Sequence, residues 1–206
     1  MASNILNEEA DAELDISDVL TPGFLEYAEK LNNRIIYLFG DVDTEAIANI
    51  IAQIHILEKR GEEDIEIVIN SPGGYVIDCF ALIDVMDSSP CDFKVTVLGI
   101  AASAACLIAT NGTPGKRFAG KNSEFMFHEV VGVSEIRDSD LAYIQKETKR
   151  TQKKFNKIFS RNTGQTVPKI NKIFYTGRQD RYMTAEEARG FGIIDKIMRT
   201  RSRKRK

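Results

Sequence analysis

VTVLGIAASAACLIAT, residues 95–110, joins two kinds of chain. Val95, Thr96 and Val97 are β-branched and extend the strand-like run FKVTVLG. AASAACLIATNG is built from small and apolar residues, reads as a buried helix and ends at Gly112. Ser103 sits among alanines where the two meet. A hydroxyl there is either filler in a small-residue helix or a nucleophile on a strand-to-helix turn. Composition and periodicity favour filler.

The same strand–turn–helix grammar recurs upstream. In IVIN-SPGG-YVIDCF, a strand with Ile65, Ile67 and Ile69 on one face meets a Pro-Gly-Gly turn and then an amphipathic helix. Before it, RIIYLFG reads as a buried strand. In DVDTEAIANIIAQIHILEKRG, the residues Ile47, Ile50, Ile51, Ile54 and Leu57 recur at helical spacing. Further on, KRFAG and SEFMFHE read as short strands, and a long polar-faced helix spans 140–162. A strand–helix–strand unit, RYMTAEEARGFGIIDKIM, closes the pattern. Strands alternating with helices predict an α/β fold with largely parallel strands. Two small-residue turns, each opening a helix, offer outward-pointing backbone N–H groups suited to a developing oxyanion.

The totals fit one domain. The chain has 206 residues, 43% of them hydrophobic and 28% charged, with a net charge of −2. The first eighteen residues carry six carboxylates and no Lys or Arg, and the last eight, RTRSRKRK, are strongly basic. Both read as solvated tails, giving an acidic tail over 1–20, a single domain over 21–198 and a basic tail over 199–206. With so small a net charge, no nucleic-acid or membrane partner is expected. Cys79, Cys91 and Cys106 are scattered without a CxxC, which argues against a disulfide framework and a zinc site. The expected setting is reducing and cytoplasmic.

The chain holds two histidines. His55 lies within the amphipathic helix and reads as a helix-face residue. His128 ends the strand-like run in FMFHEVVG. Carbonyl chemistry needs a nucleophile, a base and a group that orients the base. Ser103 and His128 are candidates for the first two. Read alone, the residues leave many acids open.

Five motifs in order carry a resemblance that narrows this choice. They are INSPGGYVIDCFALIDVM (69–86), GIAASAACL (99–107), GKRFAGKNSEFMFHE (115–129), NTGQ (162–165) and DRYMTAEEARGFGIID (180–195). Together they resemble the ClpP family of serine peptidases, over about four-fifths of the chain. The resemblance implies a ClpP/crotonase-like fold of repeated strand-strand-helix turns with a projecting handle helix. It implies Ser103 as nucleophile, His128 as general base and Asp180 as the acid that orients it. Asp195 is the other acid of that region, where it suits a polar element end. Backbone N–H groups of Gly74 and Ala104 form the implied oxyanion hole. Gly73, Tyr75 and Val76 on one side and Val130 and Val131 on the other bind substrate as an added strand.

The same resemblance implies hydrolysis of unfolded chains or short peptides inside a homo-oligomer of heptameric rings, stacked as a tetradecamer. An AAA+ Clp ATPase feeds such a ring. The peptidase itself takes no metal or other cofactor, and ATP serves only the partner. Several features depart from the family pattern. Glu66 and Val68 stand where many relatives carry aromatic or large apolar residues, which help form the pocket that receives the ATPase's docking loop. His128 is followed by EVVGVSEIRDSD rather than by a proline and a glycine-rich run, and Gln179 precedes Asp180 where relatives often have arginine. These departures keep one alternative open, a catalytically silent ring subunit that co-assembles with an active paralogue. A crotonase-type acyl-CoA enzyme shares the paired N–H groups but has no need of Ser103 and His128.

Overall fold

The computed structural model describes residue 29 and residues 32–131, 141–174 and 180–199. Gln179, most of the helix-like segment FLEYAEKLNN, the acidic tail and all but Arg199 of the basic tail lie outside them. The described elements run β1 (Ile35–Val42), α1 (Thr44–Glu58), β2 (Ile65–Gly74), α2 (Val76–Ser88), β3 (Phe93–Ala102), α3 (Ala104–Thr110), β4 (Arg117–Ala119) and β5 (Glu124–Phe127). They continue with α4 (Leu141–Thr163), α5 (Val167–Phe174), β6 (Arg181–Thr184), α6 (Ala185–Phe191) and β7 (Lys196–Ile197). This is the expected α/β alternation.

Strands β1, β2, β3, β4 and β7 lie side by side and parallel. Strand β3 forks. Val95–Val97 pair with β4, while Ile100–Ala102 pair with β5, which turns antiparallel against β6. Sequence separates the two halves of the fork at Gly99, whose φ is +86°. A Cβ there would stand 2.6 Å from Asn70 Oδ1, which accepts a hydrogen bond from Ile100 N–H at 3.2 Å. Glycine thus lets β2 grip β3 across the branch point.

Helix α1 begins where Asp43 accepts from Ala46 N–H at 2.8 Å, and it buries Ile47, Ile50, Ile54 and Leu57 against the sheet. Helix α2 buries Cys79, Phe80, Leu82, Ile83 and Met86, and every residue of α3 is buried. Helix α4 divides in two. Its first ten residues bury no side chain, while Gln152, Phe155, Asn156, Phe159 and Thr163 are buried in the rest. The helix therefore projects from the domain at its N-terminal end, as the handle expectation requires.

Three local readings change. The SPGG segment continues β2, because Gly73 and Gly74 pair with Asp41 and Val42 past a register shift. Likewise GIAA continues β3, held by Ser71 on one side and Phe125 on the other. Helix α5 falls on a stretch left unassigned by the sequence pattern. Its eight residues offer too short a period, and Pro168 at an early helical position masks a start that proline tolerates.

Candidate active site

Ser103 is the single residue between β3 and α3, and its backbone sits at φ 52° and ψ −120°. Only one other non-glycine residue among those described, Arg34, has a positive φ. Such a conformation costs on the order of 1–3 kcal/mol and persists only when its surroundings enforce it. They do so here from three sides. Ser103 N–H donates to the Met126 carbonyl of β5 at 2.7 Å, and its own carbonyl accepts from Cys106 and Leu107 N–H. Above it lies Gly73, where a Cβ would stand 2.5 Å from the Ala102 carbonyl oxygen, 2.8 Å from Ser103 Cβ and 3.0 Å from Ala104 N. Behind it, Cys79 Sγ donates to the Ala104 carbonyl at 3.3 Å. Burial pushes the Cys79 thiol well above its ordinary pKa, so it stays a neutral donor.

His128 follows β5 directly. Strand alternation turns Phe125 and Phe127 into the core, so the position after them faces the other side. Phe127 is wedged among Phe159 of α4, at 5.5 Å between ring centroids, and Phe191 of α6, at 6.1 Å. This aromatic cluster fixes the end of β5 from below. From there His128 Nε2 reaches Ser103 Oγ at 2.9 Å. The partner strands β3 and β5 thus carry Ser103 and His128 to within hydrogen-bond reach, the geometry a base needs to take a hydroxyl proton.

Asp180 lies immediately before β6 and is exposed. The β5–β6 ladder pairs Phe127 with Arg181, so one further step of that register sets Asp180 opposite His128. No hydrogen bond joins the two among the described residues. Asp195 is spoken for elsewhere. Its carboxylate accepts from Arg117 Nη2 at 2.6 Å and Nε at 3.0 Å, and from the N–H groups of Gly115 and Arg117. Partial burial opposes its ionisation, but the Arg117 guanidinium and those N–H groups prevail and hold its pKa below the ordinary carboxylate range. His55 sits out on α1, bonded through Nδ1 to Glu58 at 3.0 Å.

The remaining expected residues gather around an open groove of about 800 Å³, lined by Gly74, Tyr75, Val76, His128, Val130 and Val131 among others. Gly74 ends β2, Tyr75 is the N-cap of α2 and Val76 begins that helix, so this wall is a strand end running into a helix. Tyr75 and Val131 are 59% and 68% exposed, so both walls of the groove present apolar surface to solvent. Ala104 is the first residue of α3, where a helical N–H has no acceptor within its own helix. Among the described residues, no group of His, Cys, Asp and Glu could hold a metal ion, and no helix is long and apolar enough to cross a membrane.

The sequence reading missed one set of residues here. Val130 N–H donates to Gln152 Oε1 of α4 at 2.6 Å. Gln152 reads as one more polar residue on a polar helix, and only the replacement of the family's proline by Val130 signals that an extra N–H needs an acceptor.

A serine hydrolase with a histidine base needs its hydroxyl held against that histidine beside free backbone donors. The strained Ser103 turn and its neighbour His128 meet that need, which puts the site in the serine-hydrolase class. The Clp protease family model matches residues 24–201. A protein named ATP-dependent Clp protease proteolytic subunit, from Ligilactobacillus salivarius (strain UCC118), is 37% identical over 178 residues, 86% of this chain and 89% of that protein. The chain belongs to the Clp protease family, and it is a Clp-type serine peptidase.

Proposed function

We propose that Ser103 attacks the scissile carbonyl of a peptide bound in extended form along the groove. His128 Nε2 takes the hydroxyl proton as the Ser103 oxygen forms its bond to carbon. The negative charge that develops on the carbonyl oxygen is met by the N–H groups of Gly74 and Ala104. On collapse, His128 returns the proton to the departing amine, leaving an acyl-enzyme. Water then repeats the sequence, giving up a proton to His128 and releasing the new carboxyl end. Asp180 orients the imidazole through Nδ1 once the β5–β6 register extends to it. The observation that carries this reading is the 2.9 Å contact between His128 Nε2 and Ser103 Oγ at a strained strand-to-helix turn.

The substrate is an unfolded chain or short peptide, which adds as a strand between Gly73–Val76 and Val130–Val131. The chain assembles as a homo-oligomeric heptameric ring, and two such rings stack through the projecting α4. A AAA+ ATPase supplies the ring, in keeping with the words ATP-dependent in the relative's name. At the position expected to receive that partner, Glu66 is engaged by Lys94 at 2.9 Å and Thr96 at 2.6 Å. The docking surface is therefore more polar than in relatives.

The test is treatment of the purified protein with a fluorophosphonate, alongside hydrolysis of a fluorogenic peptide. Labelling and hydrolysis that both vanish in Ser103→Ala are expected. A folded, assembled wild-type protein that does neither is the silent ring subunit instead.

A further inference from the structure

We infer that Gln152, Asn156 and Asn171 form an amide relay that positions the substrate-binding wall after His128. This inference rests on the peptidase reading above and deepens it. Gln152 Oε1 accepts from Val130 N–H at 2.6 Å, Gln152 Nε2 donates to Asn156 Oδ1 at 2.7 Å, and Asn156 Nδ2 donates to Asn171 Oδ1 at 2.7 Å. Gln152 and Asn156 are 5% and 3% exposed, on the buried side of α4. Side-chain amides in a core cost stability unless their groups are paired, and among the described residues no buried side-chain nitrogen or oxygen lacks a partner. The chain has a direction. Each amide donates onward and accepts from behind, so the Gln152 oxygen is obliged to face Val130.

The functional consequence follows from strand geometry. In an extended chain, successive residues turn their N–H and C=O groups to opposite sides. Fixing Val130 N–H inward, onto α4, turns the peptide groups of Val131 outward, toward the groove and an added strand. The Val130 side chain packs against the core while Val131 is exposed, in the same alternation. A proline at this position has no N–H and fixes its own φ. Valine has neither property, and Gln152 supplies the restraint from outside. The far end of the relay is on α5, the last described element before Asp180 and β6. One chain of amides therefore ties together the segment that follows His128 and the helix that precedes Asp180. Gln152 is a positioning residue: it touches neither Ser103 nor His128.

The experiment uses the assembled full-length protein and separates strand binding from chemistry. Gln152→Met keeps side-chain length and removes the acceptor. Gln152→Glu keeps an oxygen for Val130. Val130→Pro removes the donor. A small fluorophosphonate reports on Ser103 and His128 without an added strand, and an extended hexapeptide reports on both. Gln152→Met is expected to raise the hexapeptide KM about tenfold, the scale of one buried donor left unpaired, with the labelling rate changed less than about twofold. Gln152→Glu, which keeps the acceptor for Val130 N–H but loses the donor to Asn156, raises the KM less than Gln152→Met does, and in the Val130→Pro background Gln152→Met has no further effect. Should Gln152→Met not fold, Asn171→Leu at the half-buried end of the relay is expected to raise the KM about threefold, again with labelling kept. An unchanged KM, or labelling and hydrolysis falling in equal proportion, overturns the relay's role. Amide exchange at Val130, protected in the wild type and faster in Gln152→Met, reads the bond without activity. A wild-type chain that never labels defeats the peptidase reading alone, and the relay then stands or falls on that exchange.

Discussion

Gly73 and Ser103 are packed so closely that a Cβ on the glycine would lie 2.8 Å from the serine Cβ. The glycine holds Ser103 in place, and its own φ of +93° excludes most side chains for a second reason. The active turn is thus built from two strand ends pressed together, with β2 supplying the roof over β3.

Gly73→Ala is expected to displace the Ser103 turn, because the atoms in its way are backbone. A misplacement of ångström scale at a reacting centre costs about 100-fold in rate. The fluorophosphonate labelling rate should fall by that order, with a lowered melting temperature. Wild-type labelling in this variant would mean the roof is not rigid.

Ser103→Gly should give an inert protein that is more stable than the wild type. Glycine relieves a positive φ that serine tolerates at a cost. About 1 kcal/mol of relief corresponds to a rise of about 2–4 °C in melting temperature for a chain of this size. Ser103→Ala keeps the Cβ and should be equally inert without that gain, so calorimetry on the two variants separates strain from chemistry.

Asp180→Asn should lower kcat by about 10²–10⁴-fold while leaving the fold intact, since the side chain is exposed and its proposed partner is the His128 imidazole. Asp195→Asn should leave the kcat of the folded fraction near the wild-type value and reduce stability instead. A steady-state comparison of the two, corrected for folded fraction by active-site titration, assigns the acid.

The Asp195–Arg117 contact also sets a pH dependence. Its folded pKa is depressed, so its stabilisation is complete above the unfolded carboxylate value of about 4 and is lost as pH falls through the lower folded value. Denaturant unfolding at a series of pH values should therefore show wild type and Asp195→Asn far apart at neutral pH and converging in acid. A gap that stays constant with pH would remove the charge as its origin.

Much of this was legible in the chain itself. The apolar periods of α1 and α2 and the β-branched run of β3 translate directly into buried faces. Ser103, by contrast, was readable as filler until its motif was seen beside those of His128 and Asp180. Its strained backbone has no local signature, because the strain is imposed by Gly73 and Met126, 30 and 23 positions away. Helix α5 and the continuation of β2 through SPGG escaped notice for a related reason: proline and glycine mark a break locally, and tertiary pairing overrules them. Gln152 and Asn156 look like solvated positions on a helix rich in lysine. Only the fold turns them inward.

The fork in β3 has an evolutionary consequence. Ser103 and His128, the proposed nucleophile and base, each directly follow one of two neighbouring strands, about 4.8 Å apart, so their spacing is inherited from the peptide hydrogen bonds of the ladder rather than from any loop. Substitutions around them leave that spacing unchanged so long as Ile100–Ala102 still pair with Glu124–Met126 and position 73 stays glycine. Ser103 and His128 thus stay in step for as long as that ladder holds, much as a repaired instrument keeps its pitch if the frame is untouched.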